Sequence, residues 1–255
     1  MTFANEFSHH HVIVGAVLVI YLCIAHYLSP QLKKISWISP SQLVSFAAGV
    51  TAAYVFLHML PELIESRDNI RVILQKYGWQ QQVVDLFVYF LALVGFEVYY
   101  ILSYMGDRAN WRQDGSVNKL FKYAIGFYFI YNFLITYTLM LRVDTSILYA
   151  VLFSLAIGLH FVLTDRQLRR TYPTLFSLKF RIVLLLALIV GFVVSLVFPI
   201  SAFGTSLFVA FLSGAILCVS FTEQSSITKQ TSLVSFMIGS LVMSAILALA
   251  LIHAA

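Results

Sequence analysis

Eight apolar runs, each long enough to cross a bilayer, follow one another along this chain with only short polar breaks between them. They lie at about 11–29, 42–62, 84–105, 121–141, 147–165, 177–198, 203–222 and 232–253. A spanning helix needs roughly 20 mostly apolar residues. In hydrocarbon every backbone N–H and C=O must be paired inside the segment, so runs of this kind fold as helices. Composition agrees: 60% of 255 residues are apolar, about 153, enough for seven to eight such helices. Charged residues make up 11%. That is less than half of the roughly 25% usual in a soluble domain. A soluble globular fold, a disordered chain and a fibrous protein are excluded. The expected fold class is an all-α polytopic membrane protein with eight transmembrane helices, in one domain over 1–255.

Turn chemistry and charge mark the breaks. Ser29-Pro30 ends the first run and Ser39-Pro40 precedes the second. Asp107 through Asp114 separate the third and fourth, and Arg142-Val143-Asp144 the fourth and fifth. Arg166, Arg169, Arg170 and Pro173 separate the fifth and sixth, and Pro199 follows the sixth. The segment from Ser66 to Gln82 is polar, yet carries Ile70, Val72, Ile73, Leu74, Tyr77 and Trp79. It reads equally as a short helix on the membrane surface or as an ordinary loop.

Lysine and arginine set the orientation. With the N-terminus outside and strict alternation, the inner side holds Lys33, Lys34, Arg108, Arg112, Lys119, Lys122, Arg166, Arg169, Arg170, Lys179, Arg181 and Lys229. The outer side holds Arg67, Arg71, Lys76 and Arg142. This twelve-to-four division predicts both termini outside, in the plasma (inner) membrane. The net charge of +5 therefore reflects the positive-inside bias. No nucleic-acid partner is expected, since no loop joins a long basic run to aromatics. The stretch MTFANEFSHHH has no basic region before the first apolar run, so that run is expected to be a retained span. Cys23 and Cys218 lie inside apolar runs and read as small core residues.

An ionisable group at membrane depth costs roughly 2.5–3.5 kcal/mol on insertion scales, so each one is a functional candidate. His58 and Glu62 lie one turn apart in the second span, with Pro61 between them. An imidazole and a carboxylate so spaced suit a borderline cation such as zinc. Equally, Glu62 can mark the end of the span and His58 bond a neighbour. In the fifth span His160 precedes Thr164 and Asp165, a second half-site of the same kind. Asn132 is the amide deep in the fourth span, and helix–helix adhesion is its commoner role. Glu97 must face the interior, be protonated or have a partner. His26 reads as a satisfied packing histidine. Glu223 closes the seventh span, and His9, His10 and His11 cluster outside the membrane.

The second span, SFAAGVTAAYVFLHMLPEL, resembles that of the ZIP (Zrt/Irt-like) metal-transporter family, with its small-Gly pattern followed by a polar residue and Leu-Pro-Glu. The seventh span repeats it in reduced form. Phe46-x-x-Gly49 with His58 parallels Phe211-x-x-Gly214 with Glu223, the polar residue nine after the glycine in both. The resemblance implies a ZIP-like inverted repeat and a metal site in the fourth and fifth spans. The chain departs from the family there. The His-Asn/Ser-x-x-Glu-Gly motif becomes Tyr131-Asn132-Phe133-Leu134-Ile135-Thr136, and the fifth-span motif keeps only His160 and an acid, Asp165. No carboxylate lies between Ile182 and Phe198 in the sixth. A two-metal site cannot form as in the family. One site is expected from Asn132, His160 and Asp165, with His58 and Glu223 as auxiliary ligands.

Two functions follow. The first is transport of a divalent metal ion (zinc, iron or manganese) through an altered, single site. The second is a ZIP-fold membrane protein that no longer transports metal and acts as a sensor, a partner-binding protein or a carrier of another solute. No enzyme is expected: no span holds a deep lysine for a Schiff base, and His-Glu-x-x-His is absent. No cofactor is expected either. The expected partners are the lipid bilayer, the metal ion and a second copy in a homodimer. The stripe Ser45, Ala48, Gly49 and Ala52 could pack helices within one protomer or between two.

Overall fold

The computed structural model describes residues 7–29, 39–112, 115–198, 201–225 and 232–254. Among them are nine α-helices and no strand: α1 (His9–Leu28), α2 (Pro40–Tyr54), α3 (Leu60–Leu74), α4 (Gln81–Arg112), α5 (Val117–Thr145), α6 (Ile147–Thr171), α7 (Leu178–Val197), α8 (Ala202–Ser225) and α9 (Leu233–Ala254). A π-turn over Val55–Met59 joins α2 and α3 into one rod. Eight rods result, all long and apolar enough to cross a membrane. The chain is a multi-pass integral membrane protein. Pro30, Lys33, Lys34, Asp114, Pro199 and Lys229 lie outside the described residues.

Local chemistry fixes the helix limits. The Ser8 hydroxyl accepts from the His11 N–H at the start of α1. Ser39 opens α2 with a capping box to Gln42, and Pro40 sits where no helical N–H is needed. Pro61 cannot supply the N–H that the Leu57 carbonyl would receive, and the turn before it is wide, with the Leu60 N–H reaching back to Val55. Ser146 is extended, so it both ends α5 and caps α6.

The polar segment after Glu62 is neither a separate surface helix nor a loop. The rod continues to Leu74, adds a 3-10 turn over Gln75–Tyr77, and stops at Gly78 with φ 81°. Leu63 and Ile70 are buried with Val84 and Val88 of α4 and Ala210 of α8. The Arg71 guanidinium meets Asp85 at 2.7 Å and ties α3 to α4. Helix continuation here needs a narrow apolar stripe and not a full apolar run.

Two helix pairs approach backbone to backbone through a glycine on each helix, and α7 meets α5 through one, Gly191 against the Phe133 carbonyl. α2 crosses α9 where Gly49 faces the Phe236 carbonyl and Gly239 faces the Phe46 carbonyl. α4 crosses α8 in the same way, Gly95 against the Phe211 carbonyl and Gly214 against the Ala92 carbonyl. A Cβ at any of these four positions would collide with backbone. Small residues at crossings let membrane helices gain van der Waals contact and weak Cα–H···O bonds. The small-residue stripe of α2 therefore packs within the protomer, and Ser45 accepts from the Ser232 N–H at the start of α9. α6, the most buried rod, occupies the middle against α1, α2 and α5.

Gly214→Ala and Gly95→Ala are expected to destabilise the protein by about 1–3 kcal/mol through overpacking. Gly126, on the open face of α5, has nothing within 4 Å of its would-be Cβ. Gly126→Ala should leave the melting temperature unchanged or raise it. Thermal unfolding of the three variants in one detergent checks the contrast.

Candidate functional site

Four helices bring polar groups together inside the bundle. On α1, His26 Nδ1 lies 2.8 Å from Asp165 Oδ2 of α6. On α5, Asn132 Nδ2 lies 3.2 Å from His26 Nε2 and donates to the Leu184 carbonyl of α7 at 3.4 Å. The carbonyl only accepts, so the amide nitrogen faces this way and donates to His26 Nε2 as well. His26 Nε2 is then an acceptor, and Nδ1 carries the ring proton and donates it to Asp165. Phe161 stacks on the His26 ring, with centroids 4.8 Å apart. His26, Asn132 and Asp165 are all buried, the carboxylate completely.

Beside this chain, His160 Nε2 lies 2.9 Å from the Tyr131 hydroxyl and 3.3 Å from Thr164 Oγ1. His160 and Ile135 are wholly buried. Two atoms in this centre are buried and without a hydrogen-bond partner among the described residues: His160 Nδ1 and Asp165 Oδ1. An orphaned buried polar atom is costly, and each calls for a water, a proton or a cation.

The polar line continues along α6 toward the helix end. The Tyr99 hydroxyl of α4 donates to Gln167 Oε1, and Gln167 Nε2 donates to the Ser103 hydroxyl. One turn on, Thr171 donates to Asp107, which also meets Arg170 at 3.5 Å. α6 thus carries His160, Thr164, Asp165, Gln167 and Thr171 from mid-bundle to its C-terminal end.

A second polar centre lies at the opposite end of the bundle. Glu62 and Arg142 form an ion pair. The Arg142 guanidinium also lies over the Phe153 ring, 4.3 Å from its centroid. His58 sits between the rings of Tyr54 and Tyr149, at 5.0 and 5.3 Å. Nearby, His11 Nδ1 meets Asp144 at 3.0 Å across α1 and α5.

Of the residues expected at one site, the structure brings Asn132 and Asp165 together through His26, with His160 beside them on α6. His58 is not among them; it belongs to the far centre with Glu62. The Glu223 side chain lies outside the described residues. Among the described residues, no three His, Cys, Asp or Glu side chains converge as a metal-holding group. His26, read from the sequence as a satisfied packing histidine, is buried and stacked on Phe161, and its partners are Asp165 and Asn132. Tyr99, Tyr131 and Gln167 also belong to the polar line. Glu97 is exposed on α4 and meets no partner among the described residues.

The Asp165–His26 contact should appear as energetic coupling. In a double-mutant cycle, His26→Leu and Asp165→Leu are expected to couple by about 1–3 kcal/mol. His26→Leu and Glu62→Leu, at opposite ends of the bundle, should add within about 0.5 kcal/mol. Unfolding equilibria in mixed detergent give all the required free energies.

No family model matches this chain, and neither a curated protein nor a solved structure matches it.

Proposed function

We propose that this protein is a membrane transporter of divalent metal ions, zinc first among them, with a ZIP-like plan and one altered intramembrane site. The observation that carries the reading is the pair of orphaned donor atoms, Asp165 Oδ1 and His160 Nδ1, buried where four helices meet. His160 has the form of a ligating histidine: Tyr131 and Thr164 hold Nε2, and when Nε2 carries the proton, Nδ1 presents a lone pair. Asp165 offers a carboxylate oxygen, while His26, itself held by Asn132, bonds its other oxygen. The line through Gln167 and Thr171 supplies oxygen donors between this centre and one end of the bundle.

The helix pairing supports an inverted repeat. Relating the second rod to the seventh and the third to the eighth exchanges the α2–α9 crossing with the α4–α8 crossing. The same spacing recurs at all four contacts: Phe46-x-x-Gly49, Phe211-x-x-Gly214, Ala92-x-x-Gly95 and Phe236-x-x-Gly239. Inverted repeats of this kind place their substrate near the midplane, at the repeat interface. The charge division of the loops supports both termini outside.

One observation favours a second reading, a ZIP-fold protein that binds a partner or another solute and moves no metal. The described residues contain no three-ligand group.

Uptake into liposomes, measured for zinc, iron, manganese and cadmium, separates the two. Saturable uptake of at least one metal is expected, falling at least about tenfold in His160→Ala and Asp165→Asn, given the several donors a divalent ion needs. Gly126→Ala should transport normally. If folded, correctly inserted protein moves none of the four metals, the second reading stands.

A further inference from the structure

α3 (Leu60–Leu74) packs chiefly against α4 and α8, while α2, the other half of the same rod, packs against α9 and α6. The Arg71–Asp85 ion pair adds to the hold of α4 on α3. The two halves therefore ride on different neighbours, and the π-turn over Val55–Met59 lies between them. The backbone ladder is weak there: the Leu60 N–H reaches back to Val55, and Pro61 leaves the Leu57 carbonyl without a helical donor. A wide turn and a proline are both places where a helix bends. What ties α3 to α5 is the Glu62–Arg142 ion pair. Phe153 of α6 lies beneath the guanidinium, and His58, inside the π-turn, stacks on Tyr149 of α6.

The closed pair leaves polar groups unsatisfied. Glu62 Oε2, Arg142 Nε and the Tyr54 hydroxyl are buried with no hydrogen-bond partner among the described residues. Separation would give all three water, which offsets part of the cost of parting two charges. Deeper in the bundle, Phe153, Ile157 and His160 follow at spacings of four and three on one face of α6, all buried. Seven residues of helix put His160 about 10 Å below Phe153. We infer that the Glu62–Arg142 pair is the latch of a gate at the end of the bundle opposite Gln167 and Thr171. When it parts, α3 swings away from α5 and α6 about the π-turn and opens a path along this face of α6 to His160. The gate rests on the transport reading, and supplies the entrance that the buried centre needs on this side.

Thiol accessibility of the full-length protein in nanodiscs tests the gate without any metal, with Cys23 and Cys218 replaced by alanine. Ile157→Cys reports the path, and Leu188→Cys, buried on α7, reports general loosening. A charged, water-soluble methanethiosulfonate should label Ile157→Cys at least about tenfold faster once Glu62→Gln or Arg142→Gln breaks the pair, since removing one partner of a buried ion pair shifts an equilibrium strongly. Arg142→Lys keeps the charge but loses the planar fork, and should give a smaller rise, about threefold. It carries the test if the neutral variants fold poorly. Leu188→Cys should stay unlabelled in all of them. A pair that only staples helices would lower the melting temperature and leave the labelling of Ile157→Cys unchanged, which overturns the inference. Equal acceleration at Leu188→Cys overturns it as well. Absence of metal uptake into liposomes would sink the transport reading and leave the labelling result standing. Uptake with Ile157→Cys unmoved would sink the gate alone.

Discussion

Hydrocarbon offers a carboxylate nothing, and Asp165 can sit at its depth only because helices from distant parts of the chain close around it. His26 donates to it from α1. Asn132 of α5 fixes the His26 tautomer, and the Leu184 carbonyl of α7 fixes the orientation of Asn132. Each of these bonds is modest alone. Together they set the rotation of four helices relative to one another, because a shift of any one leaves a buried group unpaired. The glycine crossings act differently. They fix how closely α2 meets α9 and α4 meets α8, without specifying chemistry. Close backbone contact thus sets the spacing at those crossings, while hydrogen bonds set the rotation of the helices around Asp165.

The span count was legible because about 20 apolar residues in a row have few other fates. The extension of the second rod beyond Glu62 was not. Past the hydrocarbon, a helix needs only an apolar residue each turn or two, and Leu63, Ile70 and Leu74 give a weaker signal than an unbroken run. At the site, Asn132, His160 and Asp165 stood out as polar groups at depth. His26 stood out equally but had no visible partner, since Asp165 lies 139 residues further on. A single sequence states that a buried histidine needs a partner and does not say which. Arg142 was misleading for a related reason: it was read as a loop charge setting orientation. In the fold it is an internal partner of Glu62.

That ion pair explains why the two polar centres are not interchangeable. Glu62 and Arg142 cancel, and a cation approaching His58 would meet a guanidinium as readily as a carboxylate. Among the described residues, no Lys or Arg is paired with Asp165 at the inner centre. Asp165 is paired there with a ring whose Nε2 accepts, so the ring carries a single proton. A positive ion entering the bundle has an electrostatic reason to stop at Asp165 and none to stop at His58.

The same reasoning limits how firmly it can stop. A divalent ion gives up its hydration shell only to several strong donors at once. Ile135 is buried where the family resemblance expects a glutamate, and Tyr131 replaces a histidine with a hydroxyl that bonds His160. One carboxylate, one imidazole and neutral oxygens would leave a bound divalent ion with uncancelled charge in a low-dielectric surrounding. Binding would be shallow, and some water would have to remain on the ion. A resident metal cofactor needs a deep well, whereas a carried ion must leave on the other side. The depletion of acidic ligands that argues against a permanent metal centre is therefore compatible with a transport site, provided the polar line of α6 can take up the donors that Asp165 and His160 do not supply.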